Sequence, residues 1–310
     1  MGRGIFCISI DLELLWGVHD VDYRKHAASV SKVRVIVKRL LTLFEKYDVG
    51  ATWAAVGHLY LSSCKPVHGV KHPEIVRPKY SWFTDDWFAP DPATNIKHDP
   101  LWYGEDIIDL IRKHKKQELA SHSFSHIIFG DTGCSRRAAE SDIKMAVKLA
   151  AKKRVKLSSF VFPRNSEGYH EVLTKQGFKA FRGDDPYWYK GTGGMYKPLM
   201  LVDMLLLRTP PCSRPTRHSS GLLNIPGSML FVSRDGFRKR IPMACRTQRA
   251  KKGIDRANNT GTVFHLWFHP MNFSSDTEEM FKGLEEVLAY AKKQKIQVKT
   301  MQEITHDHSM

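Results

Sequence analysis

"ELASHSFSH", residues 118–126, joins a strand-like run to two histidines, His122 and His126, four positions apart. A short strand that ends in a metal-capable side chain is what a parallel α/β sheet provides, because such sheets carry their chemistry at the carboxyl ends of the strands. The spacing alone suits a hydrogen-bonded histidine pair equally well, in a chain with 15 histidines. What the other strands deliver therefore decides the reading.

Outward from this stretch, strands and helices alternate. "GIFCISID" (4–11), "GATWAAVG" (50–57), "LSSFVF" (157–162), "FKAF" (178–181), "TVFHLWFH" (262–269) and "IQVKT" (296–300) read as strands. "LLNIPGSMLFV" (222–232) is β-rich but interrupted by Pro226 and Gly227. Helical spacing of apolar residues predicts helices over 30–47, 105–117 and 136–153 and a short one over 167–176 closed by Gly177. "SDTE" (275–278) is a capping-box pattern opening a helix to about residue 293. Such alternation implies βαβ units and a parallel sheet, as a barrel or an open doubly wound sheet. No G-x-G-x-x-G or Walker loop supports a nucleotide crevice. Two long segments, 58–104 and 183–221, break the rhythm and read as loop insertions in one domain spanning 1–310. The first is rich in aromatics, and its Trp82, Trp87 and Trp102 suit either a self-packed lid or a wall for stacking on sugar faces.

Composition narrows the class. At 42 % hydrophobic residues the chain can bury a core. It shows neither a secretory signal pattern nor an apolar run of membrane-spanning length, so a soluble cytoplasmic protein is expected. Its five cysteines are scattered and lack any C-x-x-C, which argues against a disulfide framework and a cysteine zinc site. The net charge of +16 favours anionic partners or a merely solvated basic surface. On charge alone, a non-catalytic binder of nucleic acid or of a membrane surface is a rival reading.

Polar residues cluster at the predicted strand ends: Asp11 and Glu13, His122 and His126, Arg164 and Asn165, Arg182 with Asp184 and Asp185, and His269. Two imidazoles and one carboxylate form a three-ligand set with open positions, suited to catalytic Zn²⁺, Co²⁺, Ni²⁺ or Fe²⁺. Of Asp11 and Glu13, one can bind metal while the other takes a proton from water. Arg164 can keep a carboxylate base ionised, and His269 can serve as a general acid. In a strand, His265, Trp267 and His269 share one face, opposite Phe264, Leu266 and Phe268.

In their order, "SIDLE" (9–13), "HSFSH" (122–126), "FPRN" (162–165) and "LWFHP" (266–270) resemble the motifs of the polysaccharide deacetylase family, the NodB-homology or carbohydrate esterase family 4 group. "DLELLWG", "DPLWYG" and "FVFPRN" resemble a subgroup associated with surface-polysaccharide biosynthesis. The resemblance implies a distorted (β/α) barrel, usually seven-stranded, and a metal-dependent hydrolase removing N-acetyl, sometimes O-acetyl, from a sugar. It assigns the metal to Glu13, His122 and His126, the base to Asp11, the acid to His269 and the orienting of Asp11 to Arg164. It places Leu266 or Trp267 near the acetyl methyl, and Asp184 or Asp185 behind Arg164. Asp-x-Glu replaces the usual Asp-Asp, which leaves the roles of Asp11 and Glu13 exchangeable. Arg164 follows Pro163 instead of preceding it, and Asn165 stands where the family has an aromatic.

Charge and compartment point to an anionic substrate, linked to lipid pyrophosphate or to a nucleotide. Peripheral membrane contact is compatible with this reading, and no nucleic-acid partner is expected. The alternative enzyme is an amidohydrolase opening a small cyclic amide such as allantoin.

Overall fold

Strand β1 (Ile5–Leu12) is buried from Phe6 onward and forms the middle of the sheet. The computed structural model describes residues 4–308. After β1 the chain runs through α1 (Ala27–Val30), α2 (Val33–Tyr47), β2 (Thr52–Ala55), α3 (Glu105–Arg112), β3 (Glu118–Ser121), α4 (Arg136–Lys152), β4 (Ser159–Val161), α5 (His170–Lys175) and β5 (Ala180–Arg182). It continues through α6 (Tyr196–Leu205), β6 (Thr216–Arg217), β7 (Leu223–Asn224), β8 (Met229–Leu230), α7 (Met243–Thr260), β9 (Val263–Phe268), α8 (Thr277–Lys293), β10 (Gln297–Val298) and α9 (Met301–Asp307).

Among the described residues these strands form a 10-stranded sheet in which β5, β4, β3, β2, β1 and β9 lie side by side and parallel. The interrupted segment completes the curl. Up to Gly227 it bonds to β5 and the residues after it, through Ile225 N–H to Phe181 O and Gly227 N–H to Gly183 O. From Ser228 it bonds to β9, through Ser228 N–H to His265 O and Phe231 N–H to Trp267 O. Taken as one stave, β7–β8 joins β1 to β5 and β9 in a distorted seven-stave (β/α) barrel. Pro226 and Gly227 mark the place where one strand changes partners. The ten-strand count arises because this stave is split and two short strands, β6 and β10, are added at the margins.

The pleat sorts side chains between the two faces. Phe6, Ile8, Ile10, Phe264, Leu266 and Phe268 pack outward against the helices, where α2 contributes Ile36, Val37, Leu40, Leu41 and Phe44. Inward lies a layer of small or slim residues: Cys7, Ala54, Ala120, Val161, Ala180, Ile225 and Val263. Helix α9 plugs that end, with Met301 and Ile304 in the same cluster. Its capping box, Thr300 with Glu303, is fully formed, and the Met301 and Gln302 N–H groups donate to Thr52 Oγ1 and Glu118 Oε2.

Three helices depart from expectation. Helices α6 and α9 lie where no helix was expected, and α7 covers the basic run 246–256. Its buried face carries Arg246 and Arg249, so no apolar stripe announces it. At α8 the expected capping box does not form. Asp276 occupies the N-cap with φ 57° and accepts from Arg234 Nε at 2.8 Å instead.

Candidate active site

Above the small-residue layer, the next inward positions are polar. β1 offers Ser9 and Asp11, and Glu13 follows one residue past its end. His122 follows β3, Arg182 ends β5, and β9 delivers His265, Trp267 and then His269. Glu13 has helical backbone angles and Leu14 a φ of 51°, so the chain turns sharply there. Gly17 permits this turn: a Cβ on it would lie 1.9 Å from Glu13 Oε2.

One oxygen, Glu13 Oε1, is the focus of three imidazoles. It lies 3.0 Å from His122 Nε2, 3.3 Å from His126 Nε2 and 3.4 Å from His269 Nε2. His122 Nδ1 lies 2.8 Å from the Val161 carbonyl and must donate to it, which leaves the Nε2 lone pair facing the cluster. Glu13, His122 and His126 thus form a buried donor set whose ligand atoms lie within 4.8 Å of one another. Two imidazoles and a carboxylate, with the Val161 carbonyl already orienting the His122 ring, fit a divalent ion of the zinc type.

The loop carrying the histidines is held in an uncommon backbone. Ser123 and His126 have φ of 64° and 59°. The Asp142 carboxylate accepts from Phe124 N–H, Ser125 N–H and Ser125 O–H, while Gly57 and His58 N–H donate to the Ser123 and Phe124 carbonyls. Such over-determined strain is common at functional sites.

Asp11 is gripped by Arg182, whose Nη1 donates to Oδ1 and Nη2 to Oδ2, both at 2.7 Å. This corrects the expectation for Arg164. Phe162 follows β4, and Arg164 and Asn165 then take φ of 54° and 51°. That turn carries the Arg164 side chain outward to Asp20 and over the face of Trp82. Asn165 turns inward and accepts from Arg182 Nη2 at 3.1 Å. Arg182 also donates to Ser9 Oγ, 3.0 Å away, leaving the Ser9 hydroxyl to donate to His265 Nε2 at 2.9 Å. Trp267 lies face-on to the guanidinium at 4.3 Å. Arg182, Asn165, Ser9 and His265 were not assigned to the site from sequence. Arg182 was visible at a strand end, but nothing local ranked it above Arg164.

Electrostatics divides the groups. Burial pushes the Asp11 carboxyl up, but Arg182, His122 and His269 outweigh it and hold Asp11 below its ordinary value. Burial is likewise outweighed at Glu13 by the surrounding imidazoles, His269 first, and Glu13 is held well below. Burial lowers His126. At His269 burial is overcome by Glu13 and Asp11, and the imidazole is pushed up to about 9.

A cavity of about 280 Å³ adjoins this cluster, lined by Trp267, Asp185, Tyr187, Tyr196, Arg164 and Asn165 among others. Asp184 is at its rim, paired with Lys190. Asp185 does not back Arg164. It accepts from Trp267 Nε1 at 3.1 and 3.0 Å, and a Cβ on Gly227 would lie 1.8 Å from its Oδ1. Burial pushes Asp185 up to about 6. Leu266 faces the helices, away from the site, because it has the opposite strand parity to Trp267 and His269. Trp87 and Trp102 are buried, and neither lines the cavity beside the cluster. Trp87 donates to the Ser125 carbonyl, and Trp102 packs edge-on against Trp16. No helix among the described residues is long and apolar enough to cross a membrane.

No family model matches the chain, and no curated protein matches it. Solved structures do. A Mycobacterium smegmatis protein assigned as a polysaccharide deacetylase superposes with a TM-score of 0.63 at 12 % identity, covering 99 % of this chain and 91 % of its own. A Pseudomonas aeruginosa protein assigned likewise gives 0.61 at 11 % identity, covering 97 % and 89 %. Puue allantoinase gives 0.60 at 11 % identity, also covering 97 % and 89 %.

Proposed function

We propose that this chain, which has the NodB-like polysaccharide deacetylase fold, is a metal-dependent hydrolase that removes an N-acetyl group from a sugar. O-acetyl release is the lesser variant of the same chemistry. The observation that carries the reading is the division of the two carboxylates. Glu13 Oε1 faces His122, His126 and His269 at 3.0, 3.3 and 3.4 Å, while Asp11 is forked by Arg182.

Glu13, His122 and His126 would hold the metal, with zinc the best match and cobalt, nickel or iron the alternatives. Such an ion, when bound, lowers the pKa of water and polarises a carbonyl. Asp11, kept ionised by Arg182, accepts a proton from the attacking water. His269, cationic in this acidic setting, gives a proton to the departing amine as the C–N bond breaks. Acetate and a free amino sugar leave. Trp267 offers a flat apolar wall beside the acetyl group, and Tyr187 and Tyr196 line the adjoining cavity.

The net charge of +16 supports an anionic substrate linked to lipid pyrophosphate or a nucleotide. Within the cavity, however, Arg164, Lys190 and Arg249 are each paired with a carboxylate. The sugar itself can therefore be neutral, with the anionic linkage outside. Raised salt should then weaken binding of the linked sugar more than that of the free one.

The fold is shared with an allantoinase, so the choice of scissile amide needs an assay. Purified protein is analysed for metal and offered a panel of N-acetylated sugars and allantoin. Bound metal with acetate release is expected, and His122→Ala should lose the release together with the metal held by Glu13, His122 and His126. Ring opening without acetate release would replace the reading with a cyclic amidohydrolase. Unchanged turnover in His122→Ala would end it.

A further inference from the structure

A second cluster of ligand-type side chains lies where the 58–104 segment packs onto the end of β2. His58 lies three residues past that strand, at the start of the insertion, and Cys64, His72 and Asp91 lie further along it. Their ligand atoms lie within 4.8 Å of one another. Asp91 Oδ2 is the shared vertex: 3.4 Å from His58 Nε2, 3.1 Å from His72 Nε2 and 3.5 Å from Cys64 Sγ. For tetrahedral zinc, with bonds of about 2.0 Å to oxygen and nitrogen and about 2.3 Å to sulfur, the ligand edges are roughly 3.3 Å for N···O and roughly 3.5 Å for S···O. The three observed edges match that figure.

Hydrogen bonding explains the cluster poorly. His58 is fully buried, and neither of its ring nitrogens makes a well-formed hydrogen bond: Nε2 faces Asp91 Oδ2 at 3.4 Å. A buried imidazole so poorly satisfied is costly, and a ligand bond removes the cost. The surrounding groups are also placed as outer-shell supports. Ala93 N–H donates to Asp91 Oδ1 at 2.9 Å, which leaves Oδ2 for the centre. Thr94 N–H donates to the Tyr103 oxygen at 2.8 Å, so the Tyr103 hydroxyl is free to donate to Cys64 Sγ, 3.2 Å away. A thiolate ligand accepts such a bond.

We propose that His58, Cys64, His72 and Asp91 bind a structural zinc ion, distinct from the hydrolytic centre. Four protein ligands close the tetrahedron, as in structural zinc sites, and leave no position for substrate. The ion ties the insertion to the barrel. It also braces the catalytic loop, because Phe124, between His122 and His126, packs against the His58 and His72 rings at 5.7 and 5.2 Å. No C-x-x-C is needed, since only one ligand is sulfur.

Cobalt(II) substitution tests this without recourse to activity. The hydrolytic ligands include no sulfur, so a thiolate-to-cobalt charge-transfer band reports the second site alone. The full-length protein is stripped and reloaded with Co²⁺. Wild type should take two equivalents and show the band. His122→Ala should keep the band with one equivalent, and Cys64→Ser should lose it. If Cys64→Ser does not fold, alkylation of the wild type decides the matter: zinc should protect Cys64 from iodoacetamide, read by peptide mass. No band in wild type, a band that survives Cys64→Ser, or a Cys64 that zinc leaves unprotected would each overturn the proposal.

Discussion

Arg182 and Asp11, 171 residues apart in sequence, meet as a fully buried bidentate pair at 2.7 Å on both arms. Arg164, the arginine of the motif that resembles the family pattern, is half-exposed and faces the buried Asp20 carboxylate instead. The pair has two consequences. It fixes the direction of the Asp11 carboxylate, and it keeps that carboxylate ionised where burial alone would protonate it.

Arg182 and Arg164 substitutions should therefore behave oppositely. Arg182→Ala leaves Asp11 buried and unpaired, at a cost of about 3–5 kcal/mol of stability. Arg182→Lys keeps the charge but loses the fork, so turnover should fall more than stability. Arg164→Ala takes a half-exposed arginine away from the buried Asp20 carboxylate, so it should cost about 1–3 kcal/mol of stability but leave kcat within a few-fold. Denaturation curves and initial rates for the three variants check this. An Arg164→Ala enzyme as impaired as Arg182→Lys would contradict it.

Gly17 should control metal affinity without touching metal. A Cβ there would sit 1.9 Å from Glu13 Oε2 and 2.5 Å from Cδ, so Gly17→Ala must push the carboxylate off its position. Loss of an orienting contact of this kind typically costs about 10–100-fold in affinity. Chelator competition measures it. Metal affinity equal to wild type would mean that Glu13 has another equally good seat.

The buried tryptophans should prove structural. Trp102→Ala opens a large cavity beside Trp16 and should cost about 3–5 kcal/mol. Trp87→Phe strands the Ser125 carbonyl and should cost about 1–3 kcal/mol. Neither should change KM in the protein that remains folded, whereas Trp267→Leu, in the cavity wall, should raise it. A KM effect from Trp102 comparable to that from Trp267 would restore the sugar-stacking role that its burial argues against.

These contrasts mark how far the sequence could be read. Asp11, Glu13, His122 and His269 are legible because each lies at or next to a strand end, which parallel topology gathers at one rim, and His126 through its four-residue spacing from His122. Strand parity separates Trp267 and His269 from Leu266, and the structure follows parity over the family-based placement of Leu266. The choice between Arg182 and Arg164 is not legible, since it depends on two left-handed residues at 164–165 that no local pattern requires. Helix α7 is hidden because its buried face uses Arg246, which donates to the Val232, Ser233 and Ile241 carbonyls, and Arg249, paired with Asp203. Polar burial of this kind leaves no apolar period. The Cys64 cluster is hidden for a related reason: its ligands, spread over 58–91, converge only through the fold of the insertion.

Asp185 should impose a pH dependence on stability. Its folded pKa of about 6 lies above the ordinary 3.8, because burial disfavours the charged form. A raised carboxyl binds more protons folded than unfolded in this window. Its contribution is therefore fully present below pH 3.8 and is lost as pH rises through about 6. The shift corresponds to roughly 3 kcal/mol. Asp185→Asn keeps an amide oxygen for Trp267 Nε1 but cannot ionise, so it escapes that loss. Urea unfolding of metal-free protein at pH 4 and pH 7 isolates the effect, because the histidines titrate alike in both proteins and cancel in the difference. The variant should gain on wild type by up to roughly 3 kcal/mol between the two pH values. A stability difference that stays the same at both would place the Asp185 carboxyl near its ordinary value, with water reaching it from the cavity.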